Sequence, residues 1–207
     1  MAQAMLPTDI RHLILDRDGV LNQEAPQHGY ILRPADFKWL PGSLEALVLL
    51  SRAGLRLSVA TNQSAVGRGL MTQAQLDQVF AAMRTQAASA GAPLSGVYFC
   101  PHSPDAHCDC RKPAPGLIVA AVRDSGIPAA QTLLVGDDVR DVAAARAAGV
   151  HAALVRTGKG LQTEVTVHER GEVLPVFADL AQLTRALTRG STAGAVPQSL
   201  KLQDRPP

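Results

Sequence analysis

Short apolar runs alternate with longer helical segments along most of this 207-residue chain. In each run the apolar residues occupy consecutive positions, as in strands that are buried on both faces of a parallel sheet. The runs are residues 12–15, 57–60, 97–99, 132–135 and 152–155. Because a helical segment follows each of the first four runs, the pattern predicts an α/β fold with a doubly wound, Rossmann-like parallel sheet.

Residues at the predicted helix boundaries support this reading. The helical segments are residues 43–53, 72–90, 115–124 and 139–148. A glycine follows the first and the last segment, where a helix commonly ends. A threonine cap opens the second segment and a proline opens the third. Beyond Gly158 the pattern weakens, and only residues 173–189 predict a further strand and helix.

The predicted elements belong to one domain over residues 1–189. Residues 190–207 are rich in Ser, Gly, Gln and Pro, and we expect a disordered tail with no catalytic part. Apolar residues make up 46% of the chain and aromatic residues only 3%. The core must therefore be built from Ala, Val and Leu rather than from large rings.

Charge and hydropathy exclude several classes of partner. Lys and Arg number 20 against 18 Asp and Glu, and they are scattered, which argues against binding to nucleic acid or to an anionic membrane. No stretch approaches the ~18 apolar residues of a membrane span, and the first residues lack the apolar core of a signal peptide. We therefore expect a cytoplasmic protein and, since no apolar surface stripe stands out, a monomer.

Polar residues follow three of the predicted strands. Asp16, Thr61 and Asp137 each come at or directly after the end of an apolar run. The carboxyl ends of parallel strands lie along one edge of the sheet, where ligands bind. Taken singly, each residue is explained as well by a helix cap or a turn. Taken together within the motifs below, they predict one functional site.

Four motifs supply the groups that phosphoryl transfer needs. They are DRDGV at residues 16–20, TNQS at 61–64, RKP at 111–113 and GDDVRD at 136–141. The two acids of the first motif lie just past a strand and before a glycine, so both can face one ligand. Asp16 can attack phosphorus and form an aspartyl-phosphate. Asp18 can protonate the leaving oxygen and then deprotonate the attacking water.

The other three motifs add a hydroxyl group, positive charge and a further acid. Thr61 and the N–H groups near it suit the non-bridging oxygens of a phosphate. Lys112 offers a compact positive charge, and the fork of Arg111 could hold a second phosphate or a hydroxyl group. Asp137 could complete an oxygen-rich site for Mg²⁺.

This ordered set of motifs resembles the haloacid dehalogenase superfamily of aspartate-nucleophile phosphatases. Within that superfamily the chain is most similar to the D-glycero-D-manno-heptose 1,7-bisphosphate 7-phosphatases, over residues 10–185. The further segments that carry this resemblance are His28-Gly29-Tyr30 and residues 36–42, 67–69 and 156–159.

The resemblance implies a Mg²⁺-dependent phosphatase that acts on a small sugar bisphosphate and feeds lipopolysaccharide or related glycan assembly. Asp16 would be the nucleophile and Asp18 the general acid and base. Thr61 and Lys112 would stabilise the phosphoryl group. Mg²⁺ would be bound by the Asp16 carboxylate, the Asp18 backbone carbonyl and Asp137. The substrate-binding residues would be His28, Gly29, Tyr30, Asn62, Gln63, Ser64 and Arg111.

The fourth motif departs from this family at one position. The residue after the first acid is often basic in the family, but it is Asp138 in this chain. Asp138 could cap the following helix or lie near the metal, and both alternatives stay open. Asp141 could orient either Lys112 or a metal-bound water.

Three cysteines and a histidine predict a zinc site. The cysteines lie between residues 100 and 110, too close together for the disulfide framework of a secreted protein. Together they make a Cys₃His set, which binds Zn²⁺ and leaves no open position for catalytic water. The predicted ligands are Cys100, His102, Cys108 and Cys110. We therefore expect a structural zinc that staples the loop before Arg111, although His107 is an alternative ligand and a metal-free cluster an alternative state.

Little sequence is available for a cap domain over the site. A helix occupies part of the short segment between Asp18 and Thr61, and another helix follows Thr61 closely. An open site of this kind suits an extended sugar bisphosphate. Two alternatives remain. One is a histidinol-phosphate phosphatase, since that group resembles this family and can share a zinc loop, or another small sugar-phosphate phosphatase. The other is a zinc-stapled binding module without catalysis.

Overall fold

The computed structural model describes residues 5–25 and 29–189. Six parallel strands form one sheet in this part of the chain, in the order β3-β2-β1-β4-β5-β6. The strands are β1 His12–Leu15, β2 Arg56–Asn62, β3 Gly96–Cys100, β4 Thr132–Gly136, β5 His151–Val155 and β6 Val176–Phe177. The order reverses beside β1, as expected of a doubly wound fold, so the predicted fold class is confirmed.

Helices cover both faces of the sheet. They are α1 Ser43–Arg52, α2 Gln73–Ser89, α3 Gly116–Ser125, α4 Val139–Ala147, α5 Gly160–Glu169 and α6 Leu180–Arg189. Successive residues of a strand point to opposite faces. Leu13 and Leu15 accordingly pack in a core with α1, α2 and α6, while Ile14 packs in a second core with α3 and α4. Both cores are built mainly from aliphatic side chains, as the composition required.

The strand register places the strand ends at one level. Leu15 lies beside Val59 of β2 and beside Val135 of β4. The N–H of Asp16 then donates to the carbonyl of Val135 at 2.9 Å, which extends the pairing by one residue. The carboxyl ends of β1, β2 and β4 therefore meet at one edge of the sheet.

One helix, α5, was not predicted. Its buried residues are Gly160, Thr163 and Val167, while Leu161 and Val165 are 64% and 57% exposed. The apolar residues of α5 therefore do not form the inward stripe by which a surface helix is recognised. The four helices that were predicted, α1 to α4, are confirmed. The strand and the helix expected within residues 173–189 are confirmed as β6 and α6.

Among the described residues, loops rather than a cap domain surround the carboxyl edge of the sheet. In the described residues between β1 and α1, the only helix is a single 3₁₀ turn, Pro34–Asp36. Residues 63–72, between β2 and α2, hold no regular element. No described helix is both long and apolar enough to cross a membrane. The tail predicted at residues 190–207 lies outside the described residues.

Candidate active site

A cavity of about 350 Å³ opens at the carboxyl edge of the sheet. Eleven predicted site residues line it: Asp16, Asp18, Gly29, Tyr30, Thr61, Asn62, Gln63, Ser64, Arg111, Lys112 and Asp137. His28, the twelfth residue predicted for catalysis, substrate binding or Mg²⁺, lies outside the described residues. Segments far apart in sequence therefore meet in one concave site.

Two glycines make room for Asp137 beside the first motif. Gly19 and Gly158 both have a left-handed backbone, with φ of 81° and 58°. A Cβ atom added at either position would overlap the Asp137 carboxylate. Asp137 is held there by the N–H of Lys159, which donates to Oδ2 at 2.8 Å. The loops after β1 and β5 thus close tightly around the acid that follows β4.

Lys112 is the cation at the base of the cavity. Its Nζ lies 3.0 Å from Asp16 Oδ1 and 2.5 Å from Asp141 Oδ1, and it donates to the carbonyl of Ala60 at 2.8 Å. Burial alone would lower the pKa of Lys112, but Asp141 and Asp16 outweigh burial and raise it above its ordinary value. Lys112 is therefore a permanently charged group against the Asp16 carboxylate.

The acids at the strand ends are crowded with negative charge. Burial, more than any neighbour, raises the pKa of Asp16 to about 6 and that of Asp137 to about 8. For Asp137 the charges of Asp16 and Asp141 add to this effect. Ionised carboxylates in such a place require a cation.

The donor set fits Mg²⁺. Carboxylate oxygens of Asp16, Asp137 and Asp141 all lie within 4.8 Å of one another. Asp141 already contacts Lys112 and accepts from the N–H of Asp138 at 3.1 Å. Asp16 and Asp137 therefore offer the oxygens that a hard cation prefers, and Asp141 orients Lys112.

Asp18 is held by three neighbouring side chains. Arg17 Nη2 donates to both carboxylate oxygens at 2.9 and 2.8 Å, and the amides of Asn22 and Gln63 each donate at 2.9 Å. Burial raises the pKa of Asp18, but the Arg17 charge and these hydrogen bonds bring it below its ordinary value. Arg17 is itself 1% exposed and lies over the ring of Phe80, 5.7 Å from its centroid.

The TNQS segment connects the first and third motifs. Gln63 Nε2 donates to Thr61 Oγ1 at 2.9 Å as well as to Asp18. The Asn62 amide makes two hydrogen bonds to the backbone of Lys112, each 3.0 Å long. Asn62 thus positions Lys112, in addition to lining the cavity. Ser64 Oγ lies 3.4 Å from the hydroxyl of Tyr30.

Asp138 caps α4. Its side chain accepts from the N–H of Arg140 at 3.0 Å, and its own N–H donates to Asp141, which completes a capping box. Arg140 Nη2 also lies 2.6 Å from Asp138 Oδ2. Burial raises the pKa of Asp138, but the bonds from Arg140 lower it to about 2. Of the two alternatives for Asp138, the structure shows the helix cap, with an ion pair to Arg140.

The four predicted zinc ligands form a compact cluster. Cys100 Sγ lies 3.5 Å from Cys108 Sγ and 3.6 Å from His102 Nδ1, and Cys110 Sγ lies 3.4 Å from the same nitrogen. Tetrahedral bonds of ~2.0–2.3 Å to zinc would separate the ligand atoms by roughly 3.5–3.8 Å. All three cysteines are free thiols, and His102 rather than His107 belongs to the cluster. The set therefore fits a structural Zn²⁺.

Four cations of the cavity were assigned no role from the sequence. They are Arg17, Arg68, Arg140 and Lys159. Arg17 and Arg140 lie inside two of the motifs, and Arg68 and Lys159 lie in segments that carry the family resemblance. Their position in a motif or in one of these segments was thus the only feature of the sequence that could have indicated a role in the site. Hydrophobic periodicity says nothing about where a loop side chain points.

Comparison with known proteins places the chain in a family. A family model described as HAD-hydrolase-like matches residues 109–183. The D-glycero-beta-D-manno-heptose-1,7-bisphosphate 7-phosphatase of Neisseria meningitidis serogroup B is 39% identical over 184 residues, which cover 87% of this chain and 96% of the relative. The protein of the same name from Pseudomonas putida is 41% identical over 177 residues, covering 84% and 98%.

Solved structures agree with these relatives. The crystal structure of D,D-heptose 1,7-bisphosphate phosphatase from Bordetella bronchiseptica, complexed with magnesium and phosphate, superposes with a TM-score of 0.80 at 36% identity. It covers 87% of this chain and 99% of that one. A phosphatase described in the same words from Burkholderia thailandensis has a TM-score of 0.64 at 33% identity, covering 86% and 98%. The chain therefore belongs to the haloacid dehalogenase-like phosphatases, in the family of the D-glycero-beta-D-manno-heptose-1,7-bisphosphate 7-phosphatases.

Proposed function

We propose that this protein removes the C7 phosphate of D-glycero-D-manno-heptose 1,7-bisphosphate in a Mg²⁺-dependent reaction. The observation that carries the proposal is the contact of Asp16 Oδ1 with buried Lys112, 3.0 Å away, at an edge of the sheet that also holds Asp137. A carboxylate against a fixed cation, beside acids that fit a metal, is suited to attack a phosphoryl group. The names and extensive coverage of the relatives support the choice of substrate.

Two steps account for the reaction. In the first, an oxygen of Asp16 forms a bond to phosphorus as the bond from phosphorus to the sugar oxygen breaks, and Asp18 gives that oxygen a proton. In the second, water attacks the aspartyl-phosphate while Asp18 takes a proton from the water. Phosphate leaves and the Asp16 carboxylate is restored.

Charge stabilisation comes from fixed groups around Asp16. Lys112 and the Thr61 hydroxyl would hold the non-bridging oxygens of the phosphoryl group, since both line the cavity beside the nucleophile. Asp16, the Asp18 backbone carbonyl and Asp137 would hold Mg²⁺. When bound there, Mg²⁺ supplies positive charge that offsets the charges of phosphate and carboxylate.

Asp18 must change its protonation state during the reaction. In the described arrangement its carboxylate accepts from Arg17, Asn22 and Gln63, which keeps its pKa low and favours the ionised form. An ionised Asp18 is ready to accept a proton from water in the second step. A dianionic phosphate beside Asp18 raises its pKa, which favours the protonated form required in the first step.

The sugar would lie against the loops at the cavity mouth. Gly29 and Tyr30 line one side, and residues 62–64 line another. Together with Arg111 and His28, these are the proposed substrate-binding residues. The zinc cluster would have a structural role and no catalytic one, because it would fix the loop that carries Arg111. The monomeric state, the cytoplasmic location and the single domain over residues 1–189 stay predictions from the sequence.

Phosphate release from heptose 1,7-bisphosphate tests the proposal. We expect the wild type to release phosphate only with Mg²⁺, and Asp16→Asn to lower the rate at least ~10³-fold, because the amide is a poor nucleophile. Undiminished release by Asp16→Asn contradicts the assigned nucleophile. No release by the wild type favours a binding module.

The substrate is tested by comparing three compounds under the same conditions. They are the two anomers of heptose 1,7-bisphosphate and histidinol phosphate. We expect a higher kcat/KM for one of the bisphosphate anomers. A wide preference for histidinol phosphate contradicts the heptose proposal and leaves the chemistry at Asp16 intact.

A further inference from the structure

Only some of the cations that line the cavity form ion pairs with its acids. Six are carboxylates and six are cations. Four of the cations contact acids of the cavity: Arg17 with Asp18, Lys112 with Asp16 and Asp141, Arg140 with Asp138, and Lys159 with Glu24. The two remaining cations, Arg68 and Arg111, have no ion pair within the described residues. They are therefore the cavity cations whose charge is available to a ligand.

The paired and unpaired cations lie on different walls. Arg140 and Lys159 follow β4 and β5, and their acids Asp138 and Glu24 neutralise them locally. Arg68 and Arg111 follow β2 and β3 instead. The strand order places β2 and β3 on one side of β1 and places β4 and β5 on the other. The unpaired cations of the cavity thus lie on the β2–β3 side.

The zinc loop supports both unpaired arginines. Gly67, the residue before Arg68, donates its N–H to the carbonyl of Pro101 at 2.8 Å. A Cβ atom on Gly67 would lie 2.6 Å from the N of Ser103, so only glycine fits this contact. Arg111 Nη1 donates to the carbonyl of His102 at 3.3 Å. Both arginines are therefore attached to the segment 101–103, which the zinc cluster fixes at Cys100 and His102.

We infer that Arg68 joins Arg111 in an anion subsite for the second, non-reacting phosphate of the substrate, and that this subsite sets the preference for a bisphosphate over a monophosphate. The inference rests on the proposed function, because Asp16 and Lys112 take the reacting phosphate at the base of the cavity. The second phosphate then meets the only cations among the described cavity residues that no carboxylate neutralises. Two guanidinium groups on a shared support suit the geometry of a phosphate.

Kinetics on two substrates test the subsite. We expect Arg68→Ala to raise KM for heptose 1,7-bisphosphate about tenfold with little change in kcat, which corresponds to one lost charged hydrogen bond. For heptose 7-phosphate, which lacks the second phosphate, KM should change less than about twofold. Arg68→Lys should recover part of the loss. Arg84→Ala is the matched control, because Arg84 is an exposed arginine of α2 outside the cavity.

Salt dependence separates a charge effect from a structural one. KM of the wild type for the bisphosphate should rise with ionic strength, and this rise should be smaller in Arg68→Ala, because screening acts on the charge that the variant has lost. The inference is contradicted if Arg68→Ala changes KM equally for heptose 1,7-bisphosphate and heptose 7-phosphate, or changes KM for neither.

Binding of the product gives a readout that does not depend on turnover. Calorimetric titration with heptose 1-phosphate should show weaker binding to Arg68→Ala than to the wild type, while the affinity for inorganic phosphate stays the same. Equal affinity of both proteins for heptose 1-phosphate overturns the subsite, even if the wild type hydrolyses neither substrate. Failure of the wild type to hydrolyse the bisphosphate, with the binding difference intact, contradicts only the proposed function.

Discussion

Lys112 is buried against two carboxylates and a backbone carbonyl. It is 2% exposed and contacts Asp16, Asp141 and the carbonyl of Ala60. Removing one partner of a buried ion pair leaves an uncompensated charge in a poorly solvated place. For this reason Lys112 contributes both to the free energy of unfolding and to the proposed chemistry.

We therefore predict that Lys112→Met lowers the free energy of unfolding by about 3–5 kcal/mol, the usual range when a buried pair is broken. It should also abolish phosphate release. Urea denaturation and the phosphate assay measure the two effects. The double variant Lys112→Met/Asp141→Asn should regain part of the stability and none of the activity, because it removes one orphaned carboxylate. Wild-type stability in Lys112→Met contradicts the assigned ion pair.

At the scale of single residues, the sequence predicted which residues share the site but not which side chains contact each other. The positions of Asp16, Thr61 and Asp137 in one cavity were predicted, because the carboxyl ends of parallel strands coincide. Lys112 was assigned to the same site by its motif and by the family resemblance. The clamp of Arg17 on Asp18 was not, because adjacent residues in a loop point in directions that no periodicity specifies. For the same reason the choice between a cap and a metal role for Asp138 required the structure.

The three central strands share a buried hydrogen-bonded histidine. His12 of β1 is fully buried, with Nε2 3.0 Å from Ser58 Oγ of β2 and Nδ1 3.5 Å from Thr132 Oγ1 of β4. Burial, assisted by the charge of Arg56, lowers the pKa of His12 from 6.5 to about 4. His12 therefore links β1 to both of its neighbours in the neutral form.

This pKa predicts acid sensitivity with a definite sign. The unfolded chain binds a proton at His12 more readily than the folded chain, so stability falls as pH drops from 6.5 to about 4 and His12 has no further effect below that. The loss should reach about 3 kcal/mol. Urea denaturation across this pH range measures the free energy of unfolding at each pH, and its slope against pH should be smaller in His12→Asn than in the wild type. His151→Asn is the control and should keep the wild-type dependence of stability on pH, since His151 is exposed. The same dependence in His12→Asn as in the wild type contradicts the prediction.

At the level of elements, apolar runs predicted the strands well because buried parallel strands are apolar on both faces. The order of the strands did not follow from the sequence, since the runs resemble one another and do not specify their neighbours. Helix α5 was missed because Leu161 and Val165 point to solvent. Local patterns thus predict elements whose buried face is continuous, and they fail where it is not.

Helix α6 is the last described element of the whole molecule. The last helix, α6, packs on α1 and buries Leu180 and Leu183 in the main core. Every described residue that lines the candidate site lies between residues 16 and 159. The domain predicted from the sequence therefore contains all of the groups that the proposed reaction uses.

We predict that a chain shortened to residues 1–189 keeps wild-type kcat/KM for the bisphosphate and the wild-type midpoint of urea denaturation. Both measurements are made beside the full-length protein at the same Mg²⁺ concentration. A chain shortened further, to residues 1–179, is the control and should lose stability because it lacks α6. A large loss of kcat/KM in the 1–189 chain would assign residues 190–207 a part in catalysis.

The central place of β1 has a consequence for the order of events during synthesis. Strand β1 pairs with β2 and with β4, so its second edge stays open during synthesis until Thr132–Gly136 has been made. Contacts between such distant segments form slowly, and an open apolar strand is prone to misassociation. Asp16, the proposed nucleophile, is therefore translated long before the last residue of its cavity, Lys159, and the proposed catalysis can begin only after that residue has been made.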